Sequence, residues 1–250
     1  MFMMKKTLSI IAVIFVVLLL TGTAAAATTE LTVEKYSADG KLLETKTVDY
    51  QWMEKNLPII GDGKTHYYLQ GPIFEGELWD PTESINVEGK DMGAVKGTAL
   101  KDLCDLVGGA DVNDKISIIA EDGLKKTWPQ KYIYTPEKRM GTVFIAWYSE
   151  EDGYVPDYYS GLRLLFTGDT SVNPWGYNVF GVADEKETMD EKDWYYYNNQ
   201  YPTTTGLSIQ GVDTIEIRQG ETKSTTSPSF GFILAALGVA GAVLIIRRHE

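Results

Sequence analysis

The chain has 250 residues, with 35 Asp and Glu against 23 Lys and Arg and a formal net charge of −12. That balance excludes a general nucleic-acid binder, which needs a basic face to displace counterions, and excludes adhesion to an anionic lipid surface. A single cysteine, Cys104, excludes a disulfide framework, so stability has to come from packing.

Lys5 and Lys6 precede the apolar run Leu8 to Leu20, and small residues from Thr21 to Ala27 follow it. This is the order of a secretory signal peptide over residues 1–27, with cleavage near Ala26 or Ala27. As a helix the run would cover about 20 Å, short of the roughly 30 Å of a hydrocarbon core. With both terminal runs set aside, the remainder carries about −15, which suits a solvated exterior.

Residues 28–219 form one predicted domain, since about 190 residues are too few for two ordinary ones. Leu31 to Tyr36 reads as a strand, Ala38-Asp39-Gly40-Lys41 as a turn and Leu42 to Val48 as the returning strand. Asp49 is placed to cap a short helix that Pro58 ends. From Gly61 to Asp80 the Gly, Pro and aromatic content predicts a long ordered loop or an edge segment. Thr98 to Val107 reads as a helix capped by Thr98 and stopped by Gly108-Gly109, with Leu100, Leu103, Cys104 and Val107 on a buried face. Strands are predicted at Lys115 to Ala120, Val143 to Tyr148, Leu162 to Phe166 and Val212 to Ile217, with a turn at Glu121-Asp122-Gly123. The fold class is therefore α+β, a β-rich single domain rather than an alternating parallel sheet.

Gly220 to Pro228 is too polar to pack, and residues 220–229 read as a Ser/Thr-rich stalk. Phe230 to Ile246 is an apolar run of about 25 Å as a helix, followed by Arg247 and Arg248. Residues 230–250 are predicted to attach the chain to the membrane. Basic flanks stay on the cytoplasmic side, so the two runs place the domain outside the cell membrane.

Gly63-Lys64-Thr65 imitates the end of a phosphate loop, but Pro58 stands where that loop needs its first Gly and no helix start follows. His66 is the one histidine of the domain; there is no Gly-x-Ser-x-Gly elbow, and Cys104 lies on the core face. One His and one Cys far apart do not make a transition-metal site. Asp184-Glu185-Lys186-Glu187 with Asp190-Glu191-Lys192-Asp193 reads as a solvated face or, less simply, an oxygen-ligated calcium site. Three aromatic blocks, around Trp175, Trp194 to Tyr197 and Tyr201, either fill a disulfide-free core or wall a cleft for a flat or sugar-like ligand. In that cleft Asn173, Trp175, Thr203 and Thr205 would be contacts.

From Ile85 the order of motifs resembles the molybdopterin-binding domain of the sulfite oxidase superfamily. Val87-Glu88-Gly89-Lys90 is similar to the segment after that family's metal-binding cysteine, and Val95-Lys96-Gly97-Thr98-Ala99-Leu100-Lys101-Asp102-Leu103 to its Trp-x-Gly-Val-x-Leu-x-Asp-Leu-Leu segment. Val143 to Tyr148, Gly161-Leu162-Arg163-Leu164-Leu165-Phe166 and Val212 to Ile217 are similar to three of its strands. The resemblance implies that fold, and a pocket that would include Asn86 and Arg163. The position of the metal thiolate is Asn86 here, and a neutral amide is no substitute for a soft anionic ligand, so molybdopterin is disfavoured and no cofactor is expected. Gly61-Asp62-Gly63, Lys101 to Gly109, Asn173-Pro174-Trp175-Gly176 and Tyr201 to Ser208 resemble segments of archaeal, methanogen-type surface proteins. Pro228-Ser229-Phe230, the apolar run and Arg247-Arg248 resemble an archaeal Pro-Gly-Phe sorting tail, with Ser229 in the Gly place.

These readings imply a membrane-anchored surface protein, non-catalytic, that binds an unknown small ligand or an envelope protein. The alternatives are an exported molybdopterin-dependent oxidoreductase with Arg163 and His66 near its substrate, and a structural envelope component.

Overall fold

A computed structural model describes residues 28–171, 173 and 176–221. The predicted signal peptide, most of the stalk and the C-terminal apolar run lie outside the described residues. Among the described residues no helix is long and apolar enough to cross a membrane.

The predicted hairpin forms as β1 (Glu30–Tyr36) and β2 (Leu42–Asp49), antiparallel in register Leu31↔Val48 and Val33↔Lys46. Gly40, at φ +87°, makes the reversal that a side chain would resist. Asp49 caps helix α1 (Tyr50–Asn56) by accepting the Trp52 N–H at 2.7 Å. The chain then runs through β3 (Ile59–Ile60), β4 (His66–Leu69) and β5 (Asp91–Ala99) into helix α2 (Leu100–Asp105). After α2 come the hairpin β6 (Lys115–Ala120) and β7 (Lys125–Pro129), the single turn α3 (Lys131–Tyr134) and the long strand β8 (Val143–Ser149). The remainder comprises β9 (Gly153–Tyr154), β10 (Arg163–Phe166), β11 (Asn178–Phe180), helix α4 (Val182–Thr188), the small hairpin β12 (Tyr196–Tyr197) and β13 (Tyr201–Pro202), and β14 (Val212–Arg218).

Two sheets result. One has the order β2-β1-β14-β6-β7, in which β1 and β14 run parallel. The other has the order β10-β8-β5-β4-β11, with β3 on β5 and β9 on β8. Strand β8 reads Val-Phe-Ile-Ala-Trp with all five residues buried, the continuous apolar run of a strand covered on both faces. The domain is β-rich α+β, as its sequence predicts.

Two expectations are corrected. Thr98 is the penultimate residue of β5 and not a helix cap; its buried hydroxyl accepts the Trp147 indole N–H at 3.0 Å, and α2 starts only at Leu100. The apolar face of α2 is as expected, with Leu100, Leu103 and Cys104 fully buried and Val107 1% exposed. The stretch from Gly61 to Asp80 is neither wholly loop nor edge, because β4 is an interior strand, antiparallel to β5 and parallel to β11.

The two sheets meet along residues 207–212, where Leu164 N–H bonds Ile209 O and Val212 N–H bonds Leu162 O, each at 2.8 Å. From there β14 carries the chain away to Gly220, whose N–H is held by Asp114 at 3.0 Å. Seven strand residues separate the two points by roughly 20 Å.

Candidate functional site: a cleft between His66 and Arg163

A cleft of about 430 Å³ opens where β4, β5 and β10 begin and β8 ends, lined among others by His66, Asp91, Glu150, Asp152, Tyr158 and Arg163. His66 starts β4 and Asp91 starts the antiparallel β5, so the pairing of the strands brings the imidazole Nδ1 to 2.8 Å from the Asp91 carboxylate. Glu150 follows the end of β8 and is fixed through its N–H on Ala94 O at 2.8 Å. Asp152 turns the chain by accepting, through its side chain, from the Ser149 hydroxyl, which in turn accepts the Asp152 N–H at 3.0 Å.

Arg163 is the first residue of β10, opposite Ala146 on β8, and is followed by three buried residues that anchor its backbone. Its Nε donates to Ser208 Oγ at 3.0 Å and its Nη1 to Ser160 Oγ at 3.3 Å. Among the described residues no carboxylate comes within ion-pair distance of this half-buried guanidinium. Tyr158, 2% exposed and also lining the cleft, has a buried hydroxyl that finds no hydrogen-bond partner among the described residues. Burial pushes its pKa up, with Arg163 and Ser160 pulling the other way. Tyr159 stands beside it, 73% exposed, and a smaller cavity of about 230 Å³ continues on the far side of Tyr159 and Ser160.

The other predicted contacts lie elsewhere. Asn86, at φ +54°, donates its amide to Pro72 O at 2.7 Å and lines a separate cavity of about 290 Å³ with Ser84, Glu88 and Tyr177. Asn173 closes its own loop, its side chain bonding the backbone N–H and C=O of Tyr177. Thr203 donates to Gln70 O at 2.7 Å and meets the Thr205 hydroxyl at 2.9 Å. Trp175 lies outside the described residues. The set therefore divides: Arg163 and Asn86 line different cavities, and Asn173, Thr203 and Thr205 line neither. The aromatic blocks after Met189 pack on the loop before Asp80, with Trp194 against Trp79 at 4.7 Å between centroids and Tyr201 against Phe74 at 4.9 Å.

A second concentration of charge is internal. Arg139 reaches Asp184, Glu83 at 3.0 Å and Glu187 at 2.8 Å, and Glu83 and Asp184 are fully buried. Burial, followed by the neighbouring Asp184, pushes Glu83 up to about 9. Burial also raises Asp184 against the pull of Glu83, the Gly181 N–H and Arg139. Glu185, fully buried beside them in sequence, accepts the Tyr195 N–H and is pushed by burial up to about 8. Asp184 and Glu185 are thus interior residues, a correction to the solvated face; Glu187 and Asp190 remain on the surface. Asp80 is different: burial works against it, yet N–H groups of Ile85 and Ser84 hold its carboxyl below the usual range.

The donor chemistry does not fit a thiolate-held metal of the molybdopterin kind. Asn86 offers a committed amide, and Cys104 is buried in α2 with its thiol pushed up by burial. Among the described residues no group of three His, Cys, Asp or Glu side chains is placed to hold a metal. Tyr158 and Ser160, which complete the Arg163 site, were missed by sequence reasoning; the one available signal was their position in the turn just before Arg163. No protein-family model matches the chain, and no curated protein matches it at a significant level.

Proposed function

We propose that this chain is a membrane-anchored cell-surface protein whose folded unit is a non-catalytic, small-ligand-binding domain of sulfite-oxidase-like fold, with the cleft between His66 and Arg163 as its binding site. The observation that carries the reading is the uncompensated guanidinium of Arg163. In a domain with a large excess of carboxylates, a half-buried arginine left without one is costly unless an external anion completes it. The cleft has the concave shape and the few convergent polar groups of a small-molecule site.

A second reading, an exported pterin-dependent oxidoreductase, draws support from one observation: His66 and Arg163 line the same cleft. The two are separated by purifying the full chain from its native membranes in mild detergent, then assaying molybdenum, pterin fluorescence and visible absorption. The proposal predicts a colourless, metal-free protein; stoichiometric molybdenum or pterin would overturn it. Protease added to whole cells should degrade the domain, and a domain that survives intact inside the cytoplasm would contradict the surface location.

A further inference from the structure

Both signs of charge in the cleft are left open. Arg163 has no carboxylate within ion-pair distance, and among the described residues Glu150, Glu151 and Asp152 have no cationic partner, although all four line one cavity. Asp91 alone is matched, by His66. These unlike charges line one cavity of about 430 Å³ without pairing, a volume within the range of small-molecule sites. A polyanion would be repelled by the acidic wall, a simple cation would strand Arg163, and a neutral molecule would satisfy neither pole.

We infer that the cleft takes a small zwitterion, its carboxylate held by Arg163, Ser160 and the Tyr158 hydroxyl and its ammonium group by the wall of Glu150, Glu151 and Asp152. The inference rests on the reading of this cleft as a binding site. Arg163 is pre-organised for the task, since Ser208 and Ser160 fix its Nε and Nη1 and leave its remaining N–H groups to pair a carboxylate. The Tyr158 hydroxyl, buried beside Arg163 and Ser160 and without a hydrogen-bond partner among the described residues, adds a further donor. At the lip, the exposed ring of Tyr159 offers an aromatic face of the kind that attracts ammonium groups.

The test is calorimetric titration of the full chain, expressed for export and kept in mild detergent at low ionic strength. The probes are glycine, β-alanine, γ-aminobutyrate and 6-aminohexanoate, with butyrate and butylammonium as single-charge controls. At least one amino acid of the series should bind about tenfold or more tightly than either control, as expected when a second charge-assisted contact is added. Arg163→Met should weaken that binding by about tenfold or more, and Tyr158→Phe should weaken it without threatening the fold, because that hydroxyl has no partner to lose. Glu150→Gln combined with Asp152→Asn should erase the preference over butyrate. Butyrate binding as tightly as every amino acid, with the loss in Arg163→Met retained, would overturn the zwitterion and leave the binding cleft standing. No heat with any of the six probes would overturn both.

Discussion

Arg139 and Arg163 sit in the same acidic domain under opposite conditions. Arg139 is surrounded by Glu83, Asp184 and Glu187, more carboxylates than it can neutralise, and two of them are sealed from water. Arg163 is met by two hydroxyls and nothing charged. On the proposed reading, the difference separates a charge retained for the interior from a charge retained for a ligand. The first completes a network that would be costly to leave open, and the second is itself left open.

The largest effect that sharpens this contrast is Arg139→Met. It leaves the buried Asp184 without its cation and the buried Glu83 carboxyl without its donor, and should lower the unfolding free energy by about 3 kcal/mol, read from the urea midpoint. The lower end of the usual range applies because the Arg139 side chain is 21% exposed. An unchanged midpoint would place Arg139 in the same class as Arg163.

The next effect is a pH slope. Glu83 and Glu185 titrate higher in the folded chain than in the unfolded one, so the folded state holds protons that the unfolded state has released. Stability on this account is fullest below the ordinary carboxylate range. It falls as pH rises toward about 8 to 9, by up to roughly 1.4 kcal/mol per pH unit for each retained proton, and then levels. Asp80 acts in the opposite direction, its contribution present above the ordinary aspartate range and lost as pH falls below it. Glu185→Gln should flatten the descent, and denaturation curves between pH 5 and pH 9 would show it. A stability that rises steadily over that interval contradicts the buried protons.

Arg163→Met should cost about 1 kcal/mol or less in the same unfolding experiment, because it gives up two hydrogen bonds to hydroxyls and no buried ion pair. A loss as large as that at Arg139 would break the comparison. Smallest of all, Tyr158→Phe should leave the unfolding midpoint where it is or raise it slightly, since it removes an unpaired buried hydroxyl.

What the sequence made legible follows from where the controlling partners lie. Strands β1, β2, β6, β8, β10 and β14 announce themselves by β-branched and apolar runs between turns, and Asp39-Gly40 specifies its own hairpin. Strand β5 does not, and its last residues were assigned to the helix predicted from Thr98. In the fold Gly97 is required by a close strand approach: a Cβ there would lie 2.3 Å from Ile145 O, a residue 48 positions away. Helix α4 was misread for the same reason. Its carboxylates look solvated until Arg139, 45 residues earlier, is brought to Asp184. Of the candidate site, His66 was legible as the one histidine of the domain and Arg163 through the motif resemblance. Tyr158 was not, being one of 15 tyrosines until the fold leaves its hydroxyl without a partner.

The contrast between the two arginines is open to one direct measurement, the Nε–Hε resonances of the full chain labelled with nitrogen-15 arginine, followed while γ-aminobutyrate and its longer and shorter homologues are titrated in. The account predicts a saturable shift of the Arg163 signal, with Arg139 and Arg218 unmoved. An Arg163 signal that stays in place through the whole series, or one that drifts together with the other two, would contradict it.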